Sequence, residues 1–126
     1  MEANKIIITG GATRIGAAIA RKLSGNGVEI VIHFNKSKVK AKKLKKELST
    51  NGTKVYLVKG DLSVENDVNK IVKFAKSKLK YFDCLINNAS LFENDKLENF
   101  NTDSWGQHLR TNLRTPALLS LSLIHI

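Results

Sequence analysis

A chain of 126 residues with 42% hydrophobic and 25% charged side chains is long enough for one domain with a buried core, and reads as a soluble globular protein. Its one cysteine, Cys84, excludes an internal disulfide, and the apolar neighbours suit a small core residue. The formal net charge of +10 raises nucleic acid or an anionic surface as a partner, so the placement of the cations matters.

In chain order, the first residues carry no cationic segment followed by an apolar stretch, and no run is long enough to span a membrane. Neither export nor membrane insertion is expected, and the cytoplasm is the expected location. Ile6-Ile7-Ile8 are three consecutive β-branched residues, as suits a strand buried on both faces. Thr9-Gly10-Gly11-Ala12-Thr13-Arg14-Ile15-Gly16 then turns on glycine and opens a helix from about Arg14 to Ser24. Ile15, Ile19 and Leu23 are expected on its inner face, and Gly25-Asn26-Gly27 ends it. A strand, a glycine turn and a helix N-terminus in that order make an anion site, because N–H groups and the positive end of the helix dipole converge there. Its natural occupant is a pyrophosphate.

Val28 to Phe34 reads as a second strand. Lys36, Lys38, Lys40, Lys42, Lys43, Lys45 and Lys46 follow, with Val39, Ala41, Leu44 and Leu48 at helical spacing among them. The lysines therefore decorate the solvated face of a helix that Asn51-Gly52 closes. No stacking aromatics are interleaved, so nucleic acid is not the expected partner. Lys54 to Lys59 is a third strand, and Gly60-Asp61-Leu62 leads to Ser63 as N-cap of a helix bearing Val64, Val68, Ile71, Val72, Ala75 and Leu79. Cys84-Leu85-Ile86-Asn87 is the fourth strand, followed by Asn88-Ala89-Ser90. A polar loop reaches Asp103, where a last helical pattern begins; Trp105 within it suits core packing. Strands alternating with helices over short connections predict a parallel α/β sheet, in one domain spanning 1–126, without repeat or linker.

The end of the second strand selects the nucleotide. In dinucleotide folds an acidic residue about twenty positions beyond the glycines bonds the ribose 2′-hydroxyl of NAD. Here the place reads His33-Phe34-Asn35-Lys36-Ser37, with no carboxylate. Asn35, Lys36 and Ser37 can donate to a 2′-phosphate, and Arg14 can close on it from the glycine turn, so NADP(H) is expected rather than NAD(H). A cation at the positive end of a helix dipole makes little sense unless an anion joins it.

Thr9-Gly10 through Arg14-Ile15-Gly16, Gly60-Asp61-Leu62, Asn87-Asn88-Ala89-Ser90 and Asn112 together resemble the ordered motifs of the short-chain dehydrogenase/reductase family, a Rossmann-type doubly wound parallel sheet. In most of that family the places of Arg14 and Ser90 are glycines. Arginine there, together with His33-Phe34-Asn35-Lys36-Ser37 and Asn88-Ala89-Ser90-Leu91-Phe92, resembles the pteridine reductase branch. The resemblance implies that Asp61 and Leu62 border the adenine, with the Asp61 carboxylate accepting from its amine; a plain turn residue is the other reading of Asp61. It implies that Asn88 and Ala89 wall the nicotinamide ribose and that Ser90 bonds cofactor or substrate. Phe92 would stack on a pterin ring, or serve as a core aromatic. Asn112 is the family's helix asparagine, which holds a proton-relaying water. Pro116, four residues on, cannot donate to the carbonyl of Asn112 and clashes with it, so a local departure from the α-helix is expected.

The family's proton donor is a tyrosine followed four residues later by lysine. Four residues beyond Tyr56 and Tyr81 stand Gly60 and Leu85, so this chain contains no Tyr-x-x-x-Lys. His33, His108 and His125 show no metal spacing. The expectation is the N-terminal, NADP-binding part of a reductase, truncated after the fourth strand and the helix beyond it, lacking the catalytic half and inactive alone. The apolar residues from Leu118 to Ile126 suggest a cut or wrongly continued frame, or else a helix used in pairing, since the family commonly forms dimers or tetramers. The full-length parent is expected to reduce a pteridine or dihydrofolate C=N bond by hydride transfer. Reduction of a ketone or 3-oxoacyl thioester, and non-catalytic dinucleotide binding, remain alternatives.

Overall fold

In the computed structural model, which describes residues 4–90 and 101–123, four strands alternate with helices. The order is β1 (Lys5–Ile8), α1 (Arg14–Leu23), β2 (Glu29–Phe34), α2 (Lys38–Ser49), β3 (Lys54–Lys59), α3 (Glu65–Leu79) and β4 (Cys84–Ile86). A last rod comprises α4 (Thr102–Leu109), a π-helical turn (Arg110–Arg114) and α5 (Thr115–Leu123). The strands pair in parallel in the order β3-β2-β1-β4. The sheet thus grows outward from β1 in both directions, and the crevice at the carboxyl ends of β1 and β4 is where open α/β sheets collect ligands.

Side-chain alternation explains why the strands are apolar throughout. Ile6, Ile8, Ile30 and Ile32 face one layer with Ala17, Ala20, Ala41, Leu44 and Leu48 of α1 and α2. Ile7 and Val31 face the other, with Val68, Ile71, Val72, Ala75 and Leu79 of α3 and with Leu119 and Leu123 of α5. Both faces are covered, so a polar residue at any of these positions would be buried. Cys84 packs against the first layer, as its apolar neighbours suggest.

Three details correct the sequence reading. Ile15 is 70% exposed, and the inner face of α1 is built from Gly16, Ala17 and Ala20, because small residues let the helix lie close to the strands; Ile19 and Leu23 do pack on the core. Ser63 does not cap α3, which starts at Glu65 behind Val64; its N–H and hydroxyl instead donate to Asp61 Oδ1, closing a local turn. Trp105 is 54% exposed rather than in the core, and the helix it belongs to is capped by Asn101, whose side chain accepts from Ser104 N–H at 2.8 Å. Where Asn112 and Pro116 predict a departure from α-geometry, the helix widens to five residues per bond, Thr115 N–H reaching the Arg110 carbonyl. Phe92 lies outside the described residues. Among the described residues no helix is long and apolar enough to cross a membrane.

Candidate functional site

The carboxyl ends of β1, β2 and β4 meet at the glycine turn. Gly10 sits at φ +62°, a left-handed backbone that L side chains avoid, and a Cβ there would come within 3.0 Å of Ala89 Cα. Its N–H donates to His33 Nδ1 at 3.0 Å, and its carbonyl accepts from Asn88 Nδ2 at 3.0 Å. Gly11 N–H donates to the His33 carbonyl at 3.0 Å. Thr9 Oγ1 accepts from the N–H groups of Asn88 and Ala89 at 3.1 and 3.0 Å, tying β1 to the Asn88-Ala89-Ser90 segment. The turn is therefore held from both neighbouring strands.

The Gly10 and Gly11 N–H groups are engaged, whereas those of the first turn of α1 have no partner within a helix and stay available to an anion. Thr13 precedes that helix in extended conformation and makes no side-chain cap. Gly16 stands behind the turn: a Cβ there would lie 2.2 Å from the Gly10 carbonyl oxygen and 2.6 Å from Asn88 Nδ2. Arg14 opens the helix at φ +49°, strained for a residue with a side chain, which explains why glycine suits this place.

Two adjoining cavities flank the turn. One, of about 600 Å³, is lined by Gly10, Thr13, Arg14, Ile15, His33, Asn35, Ser37, Lys40, Asn88, Ala89 and Ser90. The other, of about 240 Å³, is lined by His33, Asn35, Lys36, Asp61, Leu62, Ser63, Ala89, Ser90, Gln107 and Thr111. Lys36 and Ser37 also line a third, of about 290 Å³, with Gly10 and Thr13. The structure thus brings Gly10, Arg14, Ile15, Asn35, Lys36, Ser37, Asp61, Leu62, Asn88, Ala89 and Ser90 to one groove, with Gly16 as the spacer beneath it. Asn112 is not among the residues lining these cavities; it sits in the π turn of the helix whose Gln107 and Thr111 do line one.

Asp61 is ionised: the Ser63 hydroxyl and N–H hold its carboxyl below the usual value against the opposing effect of burial, helped by the charges of Lys36 and Arg110. The loop carrying Asp61 is anchored twice more. Asp61 N–H donates to Asp67 Oδ2 at 2.8 Å, and the buried Thr115 hydroxyl donates to the Leu62 carbonyl. Neither tyrosine lines the groove. Tyr56 donates to Glu29 Oε1 at 3.0 Å at the start of β2, and burial followed by that carboxylate raises its pKa, the opposite of what a proton donor near neutrality needs.

Sequence reasoning missed Lys40, Gln107 and Thr111, whose helical spacing gave no hint of a shared groove, and above all His33. Its ring is 3% exposed, and Nε2 lies 2.8 Å from the Gly60 carbonyl. Burial lowers its pKa from 6.5, outweighing the opposing effects of the Gly60 carbonyl and the Asp61 charge. The folded chain therefore takes up this proton less readily than the unfolded one. Stability is expected to be flat above pH 6.5 and to fall as pH drops below it, until the folded-state ring also protonates. Urea unfolding at pH 7.5 and 5.5 checks this; a His33→Gln chain should lose that part of the dependence.

A family model described as short chain dehydrogenase matches residues 4–125. The short-chain dehydrogenase/reductase FrzI of a Cladobotryum species is 33% identical over 113 residues, covering 90% of this chain and 44% of that protein. The 3-oxoacyl-[acyl-carrier-protein] reductase FabG of Staphylococcus epidermidis is 25% identical over 108 residues, covering 86% and 44%. Among solved structures, FolM alternative dihydrofolate reductase 1 from Brucella canis, complexed with NADP, superposes with TM-score 0.84 at 32% identity, covering 94% of this chain and 48% of that one. A short chain dehydrogenase from Burkholderia cenocepacia in complex with NADP gives TM-score 0.91 at 25% identity, covering 97% and 50%. The chain spans about half the length of these relatives.

Proposed function

The chain belongs to the short-chain dehydrogenase family, and on that premise we propose that it is the NADP(H)-binding portion of a reductase acting on a pteridine or dihydrofolate C=N bond. One observation carries the cofactor reading: at the carboxyl end of β2 the groove is rimmed by Arg14, Lys36, Ser37 and Lys40, with no carboxylate where a 2′-hydroxyl would need one. The N–H groups of α1 hold the diphosphate, Arg14 and Lys36 close on the 2′-phosphate, and Asp61 and Leu62 border the adenine. Asn88, Ala89 and Ser90 orient the nicotinamide ribose and the ring beyond it. Bound there, the reduced nicotinamide supplies a hydride to the substrate.

Support for the pteridine substrate comes from the Brucella canis neighbour at 32% identity, together with the arginine and serine at positions 14 and 90. The Staphylococcus epidermidis relative supports the second reading, a 3-oxoacyl thioester reductase. Asn112 is the proton-relay residue in either case, and the π turn around it, where Pro116 has no N–H to give, is the supporting observation. This chain contains no Tyr-x-x-x-Lys, so we read it as inactive by itself. Exposed Leu109, Leu113 and Leu121 along the last helical rod support a homo-oligomer in the parent.

Calorimetric titration of the 126-residue chain at neutral pH tests the cofactor reading. NADPH is expected to bind at least about tenfold more tightly than NADH, the margin of one charge-assisted pair. Equal affinities would overturn it.

A further inference from the structure

The nucleotide reading gives roles to the rim of the groove but none to the buried ring beneath it. A carbonyl oxygen can only accept, so the contact between His33 Nε2 and the Gly60 carbonyl requires the proton on Nε2. Nδ1 is then a bare acceptor, and it receives the Gly10 N–H at 3.0 Å. The tautomer follows from the partners on both sides. The backbone of the same residue takes the next donor along, Gly11 N–H, on its carbonyl at 3.0 Å. One residue of β2 thus holds two consecutive N–H groups of the turn, while Asn88 of the β4 end holds the Gly10 carbonyl. Gly60, at the far end, directly follows β3 and has its own N–H on the Phe34 carbonyl, so the ring refers the turn to a fixed point two strands away.

We propose that His33 is a positioning residue for the diphosphate turn: its neutral ring, braced on the Gly60 carbonyl, sets the height of Gly10 and so aims the first N–H groups of α1 at the diphosphate. The inference rests on the nucleotide reading above. It assigns a job to a buried imidazole that would otherwise be an odd choice among the isoleucines and valine of β2. Val or Leu would fill the space but leave the Gly10 N–H and the Gly60 carbonyl without these partners, and a buried N–H left alone is costly.

The test separates the two hydrogen bonds. In His33→Asn the carboxamide oxygen stands where Nδ1 was and still accepts from Gly10. In His33→Gln the carboxamide nitrogen stands near Nε2 and keeps only the Gly60 contact. Both variants lose one bond and are expected to lose comparable stability, but nucleotide affinity should separate them. His33→Asn is expected within about threefold of the parent chain, and His33→Gln about tenfold weaker, the worth of one buried hydrogen bond. Because the diphosphate is common to both nucleotides, NADPH and NADH should weaken by the same factor. Nitrogen-15 spectra of the unaltered chain give a readout that needs no variant. The ring should show a protonated Nε2 and a bare Nδ1, with coupling across to the Gly10 amide.

An Nδ1-protonated ring, or a His33→Gln chain that binds as tightly as the parent, overturns the inference while leaving the nucleotide reading intact. A parent chain that binds neither nucleotide overturns the nucleotide reading first, and the inference with it.

Discussion

Gly16→Ala is expected to abolish measurable NADPH binding and to lower the unfolding midpoint by several degrees. The added Cβ would stand 2.2 Å from the Gly10 carbonyl oxygen and 2.6 Å from Asn88 Nδ2. Neither can retreat alone, because the two are bonded to each other at 3.0 Å and Gly10 is held on its other side by His33. Either α1 lifts off β1 or the turn moves, and overpacking of this kind costs about 1–3 kcal/mol or more. Both relaxations carry the N–H groups of the first helical turn away from the diphosphate, so affinity should fall further than stability. Gly25→Ala is the control. Its Cβ would find Val28 Cγ2 at 4.0 Å as its nearest neighbour, and it should bind nucleotide like the parent. Thermal unfolding followed by NADPH titration checks both; a Gly16→Ala chain that binds normally would show that the turn does not contact the ligand.

Lys36→Glu is expected to weaken NADPH about a hundredfold, with NADH changed by no more than about threefold, as a reversal of charge beside a dianion should. Lys36 lines both the cavity that contains Asp61 and the one that contains Ser37 and Thr13, and its charge already acts on Asp61. It therefore sits between the Asp61 loop and the glycine turn. The new carboxylate would repel the phosphate but accept from a free 2′-hydroxyl, which is how the acid works in NAD-specific folds. Titrations with both nucleotides at two salt concentrations check this. The NADPH effect should shrink as salt rises, since Lys36 is exposed. An equal loss for both nucleotides would mean that Lys36 supports the fold of the groove and does not read the phosphate.

What the sequence disclosed, and what it hid, divides along a physical line. Ile6-Ile7-Ile8 announce a doubly covered strand because both neighbouring layers demand apolar partners, and that pattern is local. Lysines alternating with Val39, Ala41, Leu44 and Leu48 announce the solvated face of α2 for the same reason, although Val39 itself is exposed. Ile15 misled, because hydrophobic spacing alone cannot show that a helix lies so close to its sheet that only Gly16, Ala17 and Ala20 fit beneath it. Ser63 misled because its N–H and hydroxyl turn back to donate to Asp61 Oδ1, two residues earlier, closing a turn, and the helix begins only behind Val64. His33 was invisible for a different reason. Its partners, Gly10 and Gly60, are 23 and 27 positions away, and only the strand order β3-β2-β1 makes them neighbours.

The left-handed backbone of Arg14 sets two selective pressures against each other at one position. A side chain in that conformation is disfavoured by roughly 1 kcal/mol or more relative to glycine, so a screen for heat resistance alone would tend to replace the arginine. The same change would remove the guanidinium from the mouth of the groove. On the nucleotide reading proposed above, hardening the chain and keeping a preference for phosphorylated adenosine are opposed goals, and that reading explains a residue kept at a thermodynamic disadvantage by its charge.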